Sequence, residues 1–245
     1  MRRLRLGRNG TRSSTLWAGR SRMERGRLEA FSDGVFAVAI TLLVIDLAVP
    51  EPGQEALGRQ LASHWPSFAA FAVSFFTIGI IWVNHHNLVR NFTAVDRPLL
   101  FLNLLLLFFV VTIPFATATM AAYLRSGNAD ASLAAAIYQG VFLGMSVAFG
   151  TLFWWSIRHR YLAIPLTGAA GRTAFVRFTI GNLAYAVAIG VAYLSAPASL
   201  LMSALIGLYY MFEHTPTSGP EPAGGEAAGG EAAESEPAGS APGDG

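Results

Sequence analysis

An all-α membrane protein with six transmembrane helices is predicted by three observations. Hydrophobic residues make up 53% of the 245 positions against 13% charged, with a mean hydropathy of +0.45, more apolar than an ordinary soluble domain. The apolar residues fall into long runs separated by short polar connections. The basic residues, all 17 of them arginine, crowd at the N-terminus and on alternate connections.

The first run is Phe31 to Val49, apolar but for Ser32, Asp33, Thr41 and Asp46. At the helical rise it spans about 28 Å, close to the bilayer core. Pro50 ends it, and Glu51 to Trp65 reads as a polar loop. A second helix covers about 66–82 and leads into Asn84-His85-His86-Asn87. The third covers about 98–123 with Asn103 inside it and Pro114 as an expected kink. The fourth runs over about 133–157, where Trp154 and Trp155 suit a membrane interface. The fifth, about 173–194, is joined to the sixth, about 197–212, by a turn short enough to make an antiparallel hairpin.

Orientation follows from charge. Nine arginines lie at or before Arg27, and Arg90, Arg97, Arg158, Arg160, Arg172 and Arg177 share the same side, leaving only Arg59 and Arg125 opposite. Cell-membrane location with both termini cytoplasmic is the expectation. Three regions result: an Arg-rich arm at 1–26, a membrane domain at 27–213, and a tail at 214–245 rich in Pro, Gly, Ala and Glu, expected to be disordered. The arm lacks the apolar core of a signal peptide. Met23 is a candidate start, which would leave residues 1–22 untranslated.

The arginine arm runs directly into a membrane helix without aromatic interleaving, so nucleic acid is not an expected partner. With no cysteine, disulfides and thiolate chemistry are excluded. No Walker loop, GxSxG, HExxH or paired carboxylate within one helix is present, and no enzyme and no cofactor are expected. Neighbouring His85 and His86 diverge by about 100° on a helix, and no ligand at three- or four-residue spacing completes a site for either, so no metal is expected.

On a helical projection Phe31, Gly34, Val38, Thr41, Leu42 and Ile45 share one stripe, and Asp33 points away from it. Taken alone, that stripe is an ordinary packing face, and Asp33 is an ordinary first-turn anion. Asp33, His85, His86 and Asn103 fall at one depth, where they can join in a cluster packing the first three helices.

The run Arg27, three residues, Phe31-Ser32-Asp33 and then GVFAVAITLLVIDL resembles the signature of the TMEM175 family of potassium channels. SFFTIGIIWVNHHNLV at 74–89 and Asn103 to Phe115 extend the likeness, which covers about 27–213. The resemblance implies a homotetramer embedded in membrane lipid and passing potassium ions, with the first helix of each copy lining the pore. Carried over position by position, it makes Val38, Leu42 and Ile45 the aliphatic constriction and Thr41 the nearest pore hydroxyl. Val38 departs from the larger Ile or Leu frequent in the family, which puts selectivity in question more than permeation. The resemblance also makes Arg27, Phe31, Ser32, Asp33, Trp82, His85 and Asn103 the motif and its inter-helix support. Those groups serve as structural support or as gating and proton-sensing groups. Asp46 would sit at the outer mouth, as a cation concentrator or as a cap. A proton-linked transporter, a proton-conducting protein and a non-transporting scaffold are the competing readings.

Overall fold

A computed structural model describes residues 10–45, 47, 52–53, 56–163 and 169–212, with side chains from Glu24 onward and at only some positions of 169–177. Among these residues there are seven helices: α1 (Gly10–Leu42), α2 (Leu57–Ser63), α3 (Trp65–Arg90), α4 (Arg97–Tyr123), α5 (Ala129–Arg158), α6 (Ala169–Ala192) and α7 (Ala196–Phe212). The expected tail, residues 1–9 and Asp46 lie outside the described residues.

By length and composition, α3, α4 and α5 are each long and apolar enough to cross a membrane. Their ends follow local chemistry. Pro66 sits in the first turn of α3, where its missing N–H costs nothing, and Pro98 does the same in α4. Asp96 caps α4 by accepting from the Leu99 amide at 2.9 Å, and Asn128 caps α5 by accepting from the Asp130 and Ala131 amides. The α4 helix continues through Pro114.

Two expectations need correction. The first helix does not run to Val49: α-helical bonding ends at Leu42, followed by turns through Ile45. Its apolar part from Phe31 therefore rises only about 18 Å as helix. The helix also starts well before the apolar run, at Gly10, because arginine is a good helix former and an Arg-rich arm can continue a helix without being apolar. The second correction is the 51–65 connection, which contains the short α2 packed against α3.

The bundle is built around α4 and α5, which pack extensively together. On one side α3 and α1 cover α4; on the other α6 and α7 cover α5, and α7 closes back onto α3. The core runs through Leu99, Leu106, Val110, Ile113 and Met120 of α4 and Tyr138, Phe142, Phe149 and Leu152 of α5, all buried. Gly144 permits this approach, since a Cβ there would overlap the Phe109 ring. Gly144→Val is expected to cost about 2–3 kcal/mol from overpacking, read as a lower unfolding midpoint in detergent. An unchanged midpoint would show that the Phe109 ring simply moves aside.

One end of the bundle is stitched by its loops. The Thr93 amide donates to the Tyr161 carbonyl at 2.7 Å and the Ala163 amide to the Asn91 carbonyl at 2.8 Å, joining the α3–α4 and α5–α6 connections. Arg25 reaches from α1 to the carbonyls of Arg90 and Phe92, at 3.0 and 3.3 Å, satisfying acceptors at the α3 C-terminus. The Asp96 carboxylate also accepts from Tyr161 Oη at 3.0 Å and Trp155 Nε1 at 3.3 Å. Desolvation and the adjacent carboxylate both disfavour phenolate, which raises the Tyr161 pKa and keeps its hydroxyl a donor.

Candidate functional site

The first helix has two faces. Leu28, Ser32, Phe36, Ala39 and Leu43 recur at helical spacing and are buried against α3 and α4. Phe31, Val38, Thr41, Leu42 and Ile45 lie on the other face, open to the surroundings of a single copy, with Val38 56% and Ile45 72% exposed. Thr41 turns its hydroxyl back on the helix, donating to the carbonyls of Ala37 and Val38 at 2.9 Å each. Ile45 lies in the turn beyond the helix, so of the four residues carried over as constriction and pore hydroxyl only Val38, Thr41 and Leu42 stand on helical backbone.

A buried polar chain across three helices ties the packed face of α1 to α3 and α4. Asn103 Nδ2 on α4 donates to Ser32 Oγ on α1 at 3.0 Å, and Asn103 Oδ1 receives His85 Nε2 of α3 at 2.7 Å. Because an amide oxygen only accepts, His85 carries its hydrogen on Nε2. All three side chains are at most 1% exposed. Three helices meet here through groups that would be costly to leave unpaired in an apolar interior.

A second cluster lies beside the first, half-exposed, one residue further along both helices. Trp82 Nε1 donates to Asp33 Oδ1 at 2.9 Å. His86 Nδ1 lies 3.4 Å from Glu29 Oε1 and 4.0 Å from Asp33 Oδ2. Adjacent residues on a helix diverge by about 100°, so Ser32 and His85 go inward while Asp33 and His86 go to the neighbouring face. The single cluster expected from depth is therefore two, one dry and one partly wet.

Arg27 and Phe31 lie on the exposed side of α1 and join neither cluster. Glu29 is the group that sequence reasoning did not assign to the site, and His86 was placed in the expected cluster by depth alone, without its approach to Glu29. The spacing test for ligands considered one helix at a time, whereas these two come from α1 and α3. A Glu29–Asp33 pair at i, i+4 was the available signal, and because α1 is helical through both residues it corrects the expectation of no paired carboxylate within one helix.

Residues 27–114 match the family described as endosomal/lysosomal potassium channel TMEM175. A protein of Streptomyces collinus named a potassium channel is 46% identical over 202 residues, covering 82% of this chain and 98% of that protein. The mouse protein named an endosomal/lysosomal proton channel is 37% identical over 112 residues, covering 42% of this chain but only 22% of its own length. The crystal structure of a lysosomal potassium-selective channel TMEM175 homolog from Chamaesiphon minutus superposes with a TM-score of 0.67 at 34% identity, over 77% of this chain and 97% of that one. Sequence and fold agree over nearly the whole length of these bacterial relatives, and this multi-pass membrane protein belongs to the TMEM175 family.

Proposed function

We propose that the chain forms a potassium-permeable, leak-type cation channel in the cell membrane, with six membrane helices per copy (α1 and α3 to α7), both termini in the cytoplasm, and four copies closing a pore lined by α1. The observation carrying this reading is the open face of α1. Val38, Thr41 and Leu42 are exposed on a helix whose opposite face is fixed by packing and by the buried Ser32–Asn103–His85 chain. One copy supplies one such face, so a closed ring needs symmetry. Relatives named potassium channels over nearly their full length support the same reading.

The sequence contains no TVGYG filter, so selection must come from elsewhere. A narrow aliphatic ring strips part of an ion's water shell. Potassium, with its lower charge density, loses that water more cheaply than sodium. The same ring can gate by dewetting. Val38 is smaller than Leu42 and makes the wider constriction, which places the tighter barrier at Leu42. Asp46, near the other end of the stripe, would draw cations to the outer mouth.

Flux from purified protein in liposomes tests this directly. Potassium release down its gradient should exceed sodium release in otherwise identical vesicles. No release of either ion above empty vesicles, from folded protein, would favour a scaffold. The second reading, proton conduction, is favoured by the name of the mouse relative. It predicts acidification driven by a proton gradient without potassium flux.

A further inference from the structure

We propose that Glu29, Asp33 and His86 form a binding site for a divalent transition-metal ion of the zinc class. Their ligand atoms all lie within 4.8 Å of one another. Two ligands about 2.1 Å from a tetrahedral ion are about 3.4 Å apart, which is the present separation of His86 Nδ1 and Glu29 Oε1. His86 Nδ1 to Asp33 Oδ2, at 4.0 Å, closes to that value by a small side-chain rotation.

The imidazole nitrogen itself points to a ligand. His86 Nδ1 is shielded from solvent and has no hydrogen-bond partner, although Glu29 Oε1 is close. Proximity without a hydrogen bond means that the nitrogen is not aligned on that oxygen. The carboxylate of Asp33 is prepared in a similar way. Trp82 Nε1 occupies Oδ1, and the remaining oxygen, Oδ2, is the one near His86. The Trp82 ring lies 5.6 Å from the His86 ring, centroid to centroid, and limits how the imidazole can turn. Outer-sphere contacts of this kind orient metal ligands.

Charge and chemistry select the ion. Two carboxylates face a histidine, and among the described residues no arginine forms an ion pair with either of them. A divalent cation balances that charge. One imidazole nitrogen and two carboxylates suit zinc, cobalt or nickel and leave a coordination position for water. Calcium would demand six to eight oxygens, more than the two side-chain carboxylates supply.

The test is calorimetric titration of zinc chloride into the tag-free full chain in detergent, with cobalt chloride read by visible absorption as a second probe. Saturable binding of one ion per chain is expected. His86→Gln and Glu29→Gln should each weaken it at least ~10-fold, Trp82→Phe about 10-fold through Asp33, and His159→Gln, a histidine at the end of α5 stacked on Trp155, not at all. Glu29 is partly exposed, so its substitution carries the test even if His86→Gln does not fold. Absence of saturable binding to the parent protein, or undiminished binding after either ligand substitution in protein that elutes like the parent, overturns the site. The readout is binding and not flux, so this failure is distinct from failure of the channel reading.

Discussion

Leu42→Asn is expected to raise cation conductance about 30-fold and to bring potassium and sodium permeabilities close together. The proposed ring contains four copies of residue 42, so one substitution changes the whole constriction. Replacing each isobutyl group by an amide lowers the cost of wetting the ring. Even about 0.5 kcal/mol per subunit, the low end for exchanging apolar for polar surroundings, sums to about 2 kcal/mol over four. At about 1.4 kcal/mol per tenfold, that is the stated factor. Selectivity should fall with the same change, because an amide oxygen replaces water lost by sodium and by potassium alike. Single-channel recording in planar bilayers, with potassium on one side and sodium on the other, reads both quantities. The matched control is one residue away. Leu43, in the turn that follows α1, is 1% exposed on its packed side, so Leu43→Asn should destroy folding or assembly and leave no altered channel to record. Parental conductance and reversal potential in Leu42→Asn would remove this residue from the pore.

Helices α3 to α7 were legible in the sequence to within a few residues, apart from the C-terminal extension of α3, whereas the short α2 was read as loop. Each is a long apolar run bounded by Pro, Gly, Asn or charge, and hydropathy reports such runs well. The first helix was not bounded correctly because hydropathy measures lipid preference, not backbone bonding. Helical bonding passes through the arginines from Gly10 onward and stops at Leu42, although apolar residues continue. For α3 the expected end at 82 fell short of Arg90, because Asn84 to Asn87 reads as polar. In the structure His85 satisfies its Nε2 hydrogen inside the bundle, so the helix has reason to continue.

The site was legible in part. The divergence of Ser32 from Asp33 follows from 100° per residue, and the open and packed stripes of α1 follow from the same rule. Which residue would meet which across helices did not. Ser32 pairs with Asn103 and Trp82 with Asp33 over separations of 71 and 49 residues, and a single sequence carries no register for such contacts. The Glu29–His86 approach was hidden for the same reason.

Asn103→Ala is expected to destabilise the folded protein by about 2–4 kcal/mol. The amide is the middle of a three-residue chain, so its removal orphans two buried partners, the Ser32 hydroxyl and the His85 Nε2 hydrogen. Each buried unpaired group costs about 1–3 kcal/mol. Typical inter-helix hydrogen bonds in membranes are worth less, about 0.6 kcal/mol, because the separated helices find other partners. Here Ser32, His85 and Asn103 are all at most 1% exposed, which leaves little room for water or lipid headgroups to substitute. Ser32→Ala removes an end of the chain and should cost only about 1 kcal/mol. The two changes should not add: in Asn103→Leu, where the volume is refilled, a further Ser32→Ala should recover stability, since it deletes a group that has already lost its partner. Unfolding midpoints in detergent for the single and double variants measure this. Recovery on combining them would establish that the hydroxyl, amide and imidazole act as one unit holding α1 in rotation. Simple additivity, or a loss under about 0.5 kcal/mol for Asn103→Ala, would mean that apolar packing of Leu28, Phe36, Ala39 and Leu43 orients the helix instead.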